Sequence, residues 1–217
     1  MKLQGAFLAT VMASVVSVSL GGSEINVRRA VADETAESEW ECSLSTSTYL
    51  VQNGRDYINP NLVADRGWLH LEARYNYEAI KTGSLWLGYN LSFGKKLALE
   101  ATPMFGGVFG DITGIAPGYT ISISYEPIEF FTQGEYFFDV RDHSENFFYT
   151  WSELSYAPVT WFRVGIVVDR TKALGSNFDV RRGPLVGFKY KKVDLTTYWL
   201  DPGSRDAAFI FTVALNF

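Results

Sequence analysis

The feature that most constrains this chain is a period of two. "GWLHLEARYNYE" sets Leu69, Leu71, Ala73, Tyr75 and Tyr77 on one face and Trp68, His70, Glu72, Arg74 and Asn76 on the other. "SLWLGYNLSFG" repeats this, with Leu85, Leu87, Tyr89, Leu91 and Phe93 opposite Ser84, Trp86, Gly88, Asn90 and Ser92. "GYTISISYE" sets Tyr119, Ile121, Ile123 and Tyr125 against Thr120, Ser122 and Ser124. Residues 96–102, with Glu100 on the polar face, and residues 128–140, 147–156, 160–171, 184–190, 192–200 and 207–217 read the same way. Such alternation is the mark of strands with two unlike faces, and no helical period interrupts it. The expectation is an all-β, antiparallel fold of about ten strands, with roughly 8–12 allowed.

The connections alternate in length. Gly94-Lys95, Glu126-Pro127, Ala157-Pro158 and Lys191-Lys192 read as tight turns, and 79–83, 107–114, 141–146, 172–183 and 201–206 as longer loops. Transmembrane barrels of the up-and-down type have short turns at one end and longer loops at the other. Counting back from the C-terminus puts every tight turn at one end, and the strand at 67–78 becomes the first. "STSTYLVQ" (45–52) would make the count odd, so residues 33–66 are expected to form an N-terminal periplasmic or plug-like segment, and 67–217 the barrel.

The face opposite the apolar one carries charge in mid-strand. Glu72, Arg74, Glu100, Glu129, Glu135, Asp139, Glu153, Arg163, Asp169, Lys189 and Asp194 are the candidate lumen-lining residues. A soluble barrel could place the same charges in water. Two aromatic belts decide against that. Phe93, Tyr125, Tyr156, Phe162, Tyr190 and Phe217 cluster at the tight-turn end of the apolar face, and Tyr77, Phe148, Trp199 and Phe209 at the other. Aromatic rings flanking an aliphatic band are expected where a wall meets lipid headgroups.

The N-terminus is consistent with export. Lys2 precedes an apolar run from Ala6 to Leu20 that is too short to span a bilayer. Residues 1–32 read as a signal peptide, with cleavage between Gly21 and the Ala30-Val31-Ala32 triplet. The net charge of −5 argues against a nucleic-acid partner. Cys42 is the single cysteine, so no internal disulfide is expected, and no metal or cofactor motif surrounds it.

The last strand adds a resemblance. Phe209, Phe211, Val213, Leu215 and Phe217 alternate up to a terminal aromatic. This resembles the C-terminal signal of bacterial outer-membrane β-barrels, which implies an outer-membrane location, assembly by the barrel-assembly machinery, and contact with membrane lipid and lipopolysaccharide. "RGWLHLEARYNYE" and "FFYTWSELSYAP" are similar to segments of small porin-like barrels, a resemblance that implies location and no activity.

Function is less constrained. An acidic open lumen would favour cations. A barrel of about ten strands is near the closed end of the size range, and Trp86, Phe131, Phe137, Tyr149, Trp151 and Tyr198 point inward. The charges then pair structurally, with Arg74 and Arg163 meeting Glu72, Glu100 or Glu153. The readings are a porin-like or transport-related barrel with a narrow acidic lumen, or a closed structural barrel. The alternative is a lipid-modifying acyl hydrolase, with a soluble ligand-binding barrel third. His70 beside Glu72, and His143 between Asp142 and Ser144, are the histidines such an enzyme would need. No Gly-x-Ser-x-Gly elbow accompanies them, so no catalytic residue is assigned. "GGVFGDITG" (106–114) lies between strands and reads as a hairpin bend. Lys172, Arg181 and Arg182 make the 172–183 loop basic.

Overall fold

The computed structural model describes residues 39–141 and 143–217. The signal-peptide segment 1–32 lies outside them. The strands are β1 (Glu41–Val51), β2 (Tyr57–Arg66), β3 (Leu69–Tyr75), β4 (Thr82–Tyr89), β5 (Leu91–Phe93), β6 (Ala98–Gly110), β7 (Gly114–Tyr125), β8 (Ile128–Asp139), β9 (Phe147–Val159), β10 (Phe162–Ala173), β11 (Asp179–Tyr190), β12 (Val193–Leu200) and β13 (Ala208–Asn216). All pair antiparallel with their neighbours. β4 and β5 are one stave interrupted at Asn90, since both pair with β6, so the 13 elements make twelve staves. β1 pairs with β13 from Ser43↔Asn216 to Val51↔Ala208, which closes the barrel. At the seam the Cys42 and Phe217 backbones exchange two hydrogen bonds of 2.9 Å.

The barrel therefore has twelve staves where the alternation predicts about ten. The two extra ones come from residues 41–66, which form β1 and β2 in the wall and not a periplasmic plug. Parity stays even because the segment supplies two strands. Its signal is weak for physical reasons. On β1 the outward face carries Thr46 and Thr48 between Leu44 and Leu50, which blurs the contrast with inward Ser45, Ser47 and Tyr49. β2 contains Pro60, which lacks an N–H. Its ladder to β3 starts only at Asn61↔Arg74, so Pro60 sits beyond the end of that ladder, where the missing donor costs least.

Other boundaries also move. The third tight turn is at Thr160-Trp161, because β9 continues through Ala157-Pro158 to Val159. The glycine-rich stretch at 106–114 is mostly strand, with only residues 111–113 left as a connection. Likewise the 172–183 loop shrinks to 174–178. Glu126-Pro127 and Lys191-Lys192 turn where expected. Gly94 has φ +87, and a Cβ there would lie 1.9 Å from the Leu97 carbonyl oxygen, so this turn requires glycine.

The alternation resolves into an inverted protein. Outward side chains are apolar and exposed, among them Leu62, Leu85, Leu87, Phe105, Ile123, Leu154, Ile166, Leu195, Phe211 and Val213. Inward ones are largely polar or charged and buried. A soluble barrel has the reverse arrangement, since water and not lipid meets its outer wall.

Candidate functional site

The site is the lumen. β13 runs towards the tight-turn end, so both Glu41 and Asn216 lie at that end, together with the turns after β2, β5, β7, β9 and β11. Of the expected girdle, Phe93, Tyr125, Tyr156, Tyr190 and Phe217 are exposed on the outer wall at this end. Phe162 is half-buried, its ring 5.3 Å from that of Phe188. Phe209, Phe211, Val213 and Leu215 of the terminal pattern all face outward.

Two ion-pair networks lie in the lumen. In the first, Arg74 on β3 donates to Glu72 (2.7 Å) and to Glu135 on β8 (3.1 Å). Its guanidinium lies 4.2 Å from the ring centroid of Tyr77 and 4.3 Å from that of Trp86. Trp86 in turn lies against the neighbouring strands β6 and β7. A Cβ at Gly106 would come within 2.5 Å of the indole and one at Gly118 within 2.9 Å, so these glycines provide its seat. The chain of contacts extends towards the tight-turn end. His70 Nε2 is 3.5 Å from Glu72, and His70 Nδ1 is 2.8 Å from Asp65, which also accepts from Asn90 (2.7 Å). Asn61 donates to the second oxygen of Glu72 at 2.7 Å.

In the second network, Glu153 on β9 accepts from Arg163 (3.1 Å), Trp151 Nε1 (2.7 Å) and the Tyr198 hydroxyl (2.9 Å). Arg163 also donates to Thr196 (2.9 Å), whose hydroxyl donates to Asp194 (3.2 Å). Gly187 makes room for Arg163, since a Cβ there would lie 2.7 Å from its side chain. A third pair, Arg181–Asp169 at 2.5 Å, joins β11 to β10 nearer the long-loop end. Arg181 is therefore a lumen residue of β11, not part of a basic outer loop.

Most of the candidate lumen-lining residues lie on the inward faces of the strands. Glu72, Arg74, Glu129, Glu135, Asp139, Glu153, Arg163, Asp169 and Asp194 are all buried inside the barrel. Arg74 pairs with Glu72, and Arg163 with Glu153. Glu100 does not join them. It begins the inward row of β6 at the tight-turn mouth and is exposed, with Lys189 half-buried at the same end. Glu129 accepts from Ser122 at 3.1 Å. Asp139 braces the long-loop end, accepting from the Arg141 backbone at 2.6 Å.

The sequence missed the β3–β4 connection. Tyr77 was expected on the outer wall, in the far aromatic belt. The strand instead ends at Tyr75, and Asn76 adopts φ 57, a left-handed conformation that asparagine tolerates. This turns Tyr77 and Glu78 into the lumen, where both are almost fully buried. Tyr77 packs edge-on against Tyr149, with centroids 5.8 Å apart. Glu78 accepts from Ser84 at 2.6 Å, and burial pushes its carboxyl above the usual range. No sequence period signals such a tuck, because it depends on left-handed residues at the two ends of the connection, Asn76 and Lys81.

The two halves of the lumen consequently differ. At the tight-turn end Ser92, Glu100, Thr102, Thr120, Ser122 and Ser124 of β5–β7 keep solvent exposure and form a hydroxyl-rich, acidic cup on that side, while Glu129, Ser155, Asp194 and Ala214 on the other staves of this end are buried. From mid-depth towards the long loops the interior is filled. Tyr49, Phe137, Trp151, Val167, Tyr198, Leu200 and Ile210 have no water-accessible surface, and Tyr77, Tyr149 and Leu185 retain only 1%. Tyr49 and Tyr57 stack there at 4.3 Å. His70 is engaged by Asp65 in the wall, and His143 sits in a short 3-10 turn between β8 and β9. Asp142 and the Ser144 side chain lie outside the described residues. Among the described residues no cluster of His, Cys, Asp and Glu is arranged to hold a metal ion.

No family model matches the chain, and no curated protein matches it in sequence. Solved structures do match. The KdgM porin in complex with disordered oligogalacturonate superposes with a TM-score of 0.60 at 10% identity, over 81% of this chain and 99% of that one. The NanC porin gives a TM-score of 0.56 at 10% identity, over 81% and 98%. An outer membrane protein of Acinetobacter baumannii gives 0.50 at 10% identity, over 83% and 99%. The fold is that of bacterial outer-membrane porin barrels.

Proposed function

We propose that the chain is a porin-like barrel of the bacterial outer membrane, with a narrow acidic lumen that is closed at rest across its outer half. The observation that carries this reading is the plug of Tyr49, Tyr149, Trp151, Val167 and Tyr198, whose side chains water scarcely reaches. The barrel wall supports the location: exposed aliphatic side chains are flanked by aromatic rings at the tight-turn end. That end then faces the periplasm and opens into the acidic cup.

The charge balance defines what the lumen would admit. Glu72, Glu129, Glu135, Asp139, Glu153, Asp169 and Asp194, all buried, outnumber Arg74, Arg163 and the half-buried Arg181 among the paired or enclosed inward charges of the strands. An anion such as the oligogalacturonate found with the KdgM porin would be repelled from such an interior. Small cations are the solute class that fits, once the plug yields.

The test is reversal potential across a planar bilayer under a salt gradient, comparing the refolded mature chain with a Tyr149→Ala, Trp151→Ala variant. The expected result is a nearly silent parent and a cation-selective variant. Anion selectivity in the variant would overturn the acidic-lumen reading, and large open steps in the parent would overturn the closed one.

A further inference from the structure

The outer wall carries an anomaly at the long-loop end of β10 and β11. Arg170 and Lys172 alternate with the inward Asp169 and Thr171, so they project from the wall, and both are exposed. Arg182 projects from β11, next to inward Arg181. In the ladder Arg170 pairs with Val180 and Val168 with Arg182, which makes Arg170 and Arg182 diagonal neighbours on one face. Such neighbours lie about 7–8 Å apart. Lys172 follows Arg170 on the same face at about 7 Å.

Three cations thus share one small patch of a wall that is otherwise apolar. No carboxylate among the described residues forms an ion pair with any of them. The Asp201 carboxylate lies close by, but accepts from the Arg182 backbone N–H at 3.1 Å. Lys172 rests 5.0 Å from the ring centroid of Phe178 and pairs in register with Phe148. Trp199 and Phe209, stacked at 5.3 Å, stand at the same end of the neighbouring strands. The cations are therefore level with an aromatic belt, where a membrane wall meets headgroups and not acyl chains. Like charges so close repel one another, and a shared anion removes that repulsion. Guanidinium groups match phosphate oxygens in a two-pronged fork.

We infer that Arg170, Lys172 and Arg182 form a docking site for the phosphate groups of a phosphorylated glycolipid of the outer leaflet. The inference rests on the membrane reading above, which places these long-loop ends at the outer surface. The site would hold the barrel in the outer leaflet from its outer wall and takes no part in the lumen.

The experiment is native mass spectrometry of the detergent-refolded chain titrated with diphosphoryl lipid A, its dephosphorylated form serving as the second probe. The R170Q, K172Q, R182Q variant should bind at least about tenfold more weakly than the parent, a loss equivalent to about 1.4 kcal/mol. A K95Q, K96Q control at the opposite end should bind like the parent. The dephosphorylated lipid should bind the parent no better than the triple variant binds lipid A. Equal binding by parent and triple variant overturns the site, as does equal weakening in the control or undiminished binding of the dephosphorylated lipid. Heat-modifiable gel mobility, read on every sample, separates the two readings. A folded parent that takes up no lipid A removes the site alone, whereas a chain that never folds into detergent or bilayer removes the membrane reading as well.

Discussion

The two halves of the lumen are built from the same strands and do different things. Near the tight-turn mouth, the inward positions of β5–β7 hold serine, threonine and the exposed Glu100, and these side chains keep contact with solvent. In the outer half, the same inward rows hold Trp86, Phe137, Tyr149, Trp151, Val167, Leu185 and Tyr198, and the space is filled. The charges follow this division. Arg74 and Arg163 sit where the cup meets the plug, Arg74 held by Glu72 of its own strand and Glu135 of β8, and Arg163 by Glu153 of β9. A charge left without water must be paired there, because the cost of burying it alone is several kcal/mol. Small residues keep one half wet, and glycines such as Gly106 and Gly118 let aromatic rings fill the other. Inward residue size, together with stave number, sets how much of this lumen is filled.

The comparison can be broken most severely at the junction. Arg74→Met should lower stability by about 3–5 kcal/mol, because Glu72 and Glu135 would both remain buried without their partner. The midpoint of heat-modifiable mobility in detergent measures it, and a loss below about 1 kcal/mol would mean that water reaches this level. Trp151→Ala in the plug should cost a comparable amount, about 3–5 kcal/mol, through the cavity it leaves and the donor it removes from Glu153.

Glu78 sharpens the comparison through pH. Its carboxyl, in the connection between β3 and β4, is raised by burial above its unfolded value. A raised carboxyl contributes stability that is fully present below the unfolded pKa and is lost as pH rises through the folded one. Glu78→Gln keeps an acceptor for Ser84 while removing the charge, so it should stabilise the barrel at neutral pH and flatten the decline above the ordinary carboxylate range. A variant with an unchanged pH profile would show that Glu78 is solvated. The smallest effect is expected in the cup. Glu100→Gln should change stability by less than about 0.5 kcal/mol, since its side chain is exposed.

Much of this was legible in the sequence. Period two identified every strand from β3 onwards, because lipid and lumen impose opposite chemistry on alternate residues. The ion pairs of Arg74 and Arg163 were anticipated from inward position alone. β1 and β2 were lost because outward threonines and Pro60 dilute the alternation. Arg181 was mistaken for a loop residue because strand ends are read from composition, and β11 begins in a polar stretch. Tyr77 was misplaced because its connection turns on left-handed Asn76 and Lys81. The plug itself could not be read as closed, since whether inward rings meet across a lumen depends on stave number and tilt as well as on their size.

The most direct measurement of the difference between the halves is cysteine accessibility. In a Cys42→Ser background, Ser92→Cys places a near-isosteric thiol in the cup, and Val167→Cys places one in the plug, where the native side chain has no exposure. The refolded barrel in bilayers is treated with a small charged thiol reagent. The account predicts fast labelling at position 92 and labelling at position 167 only after unfolding. Equal, rapid labelling at both positions would mean that water and solute pass through the outer half, and the closed lumen would have to be abandoned.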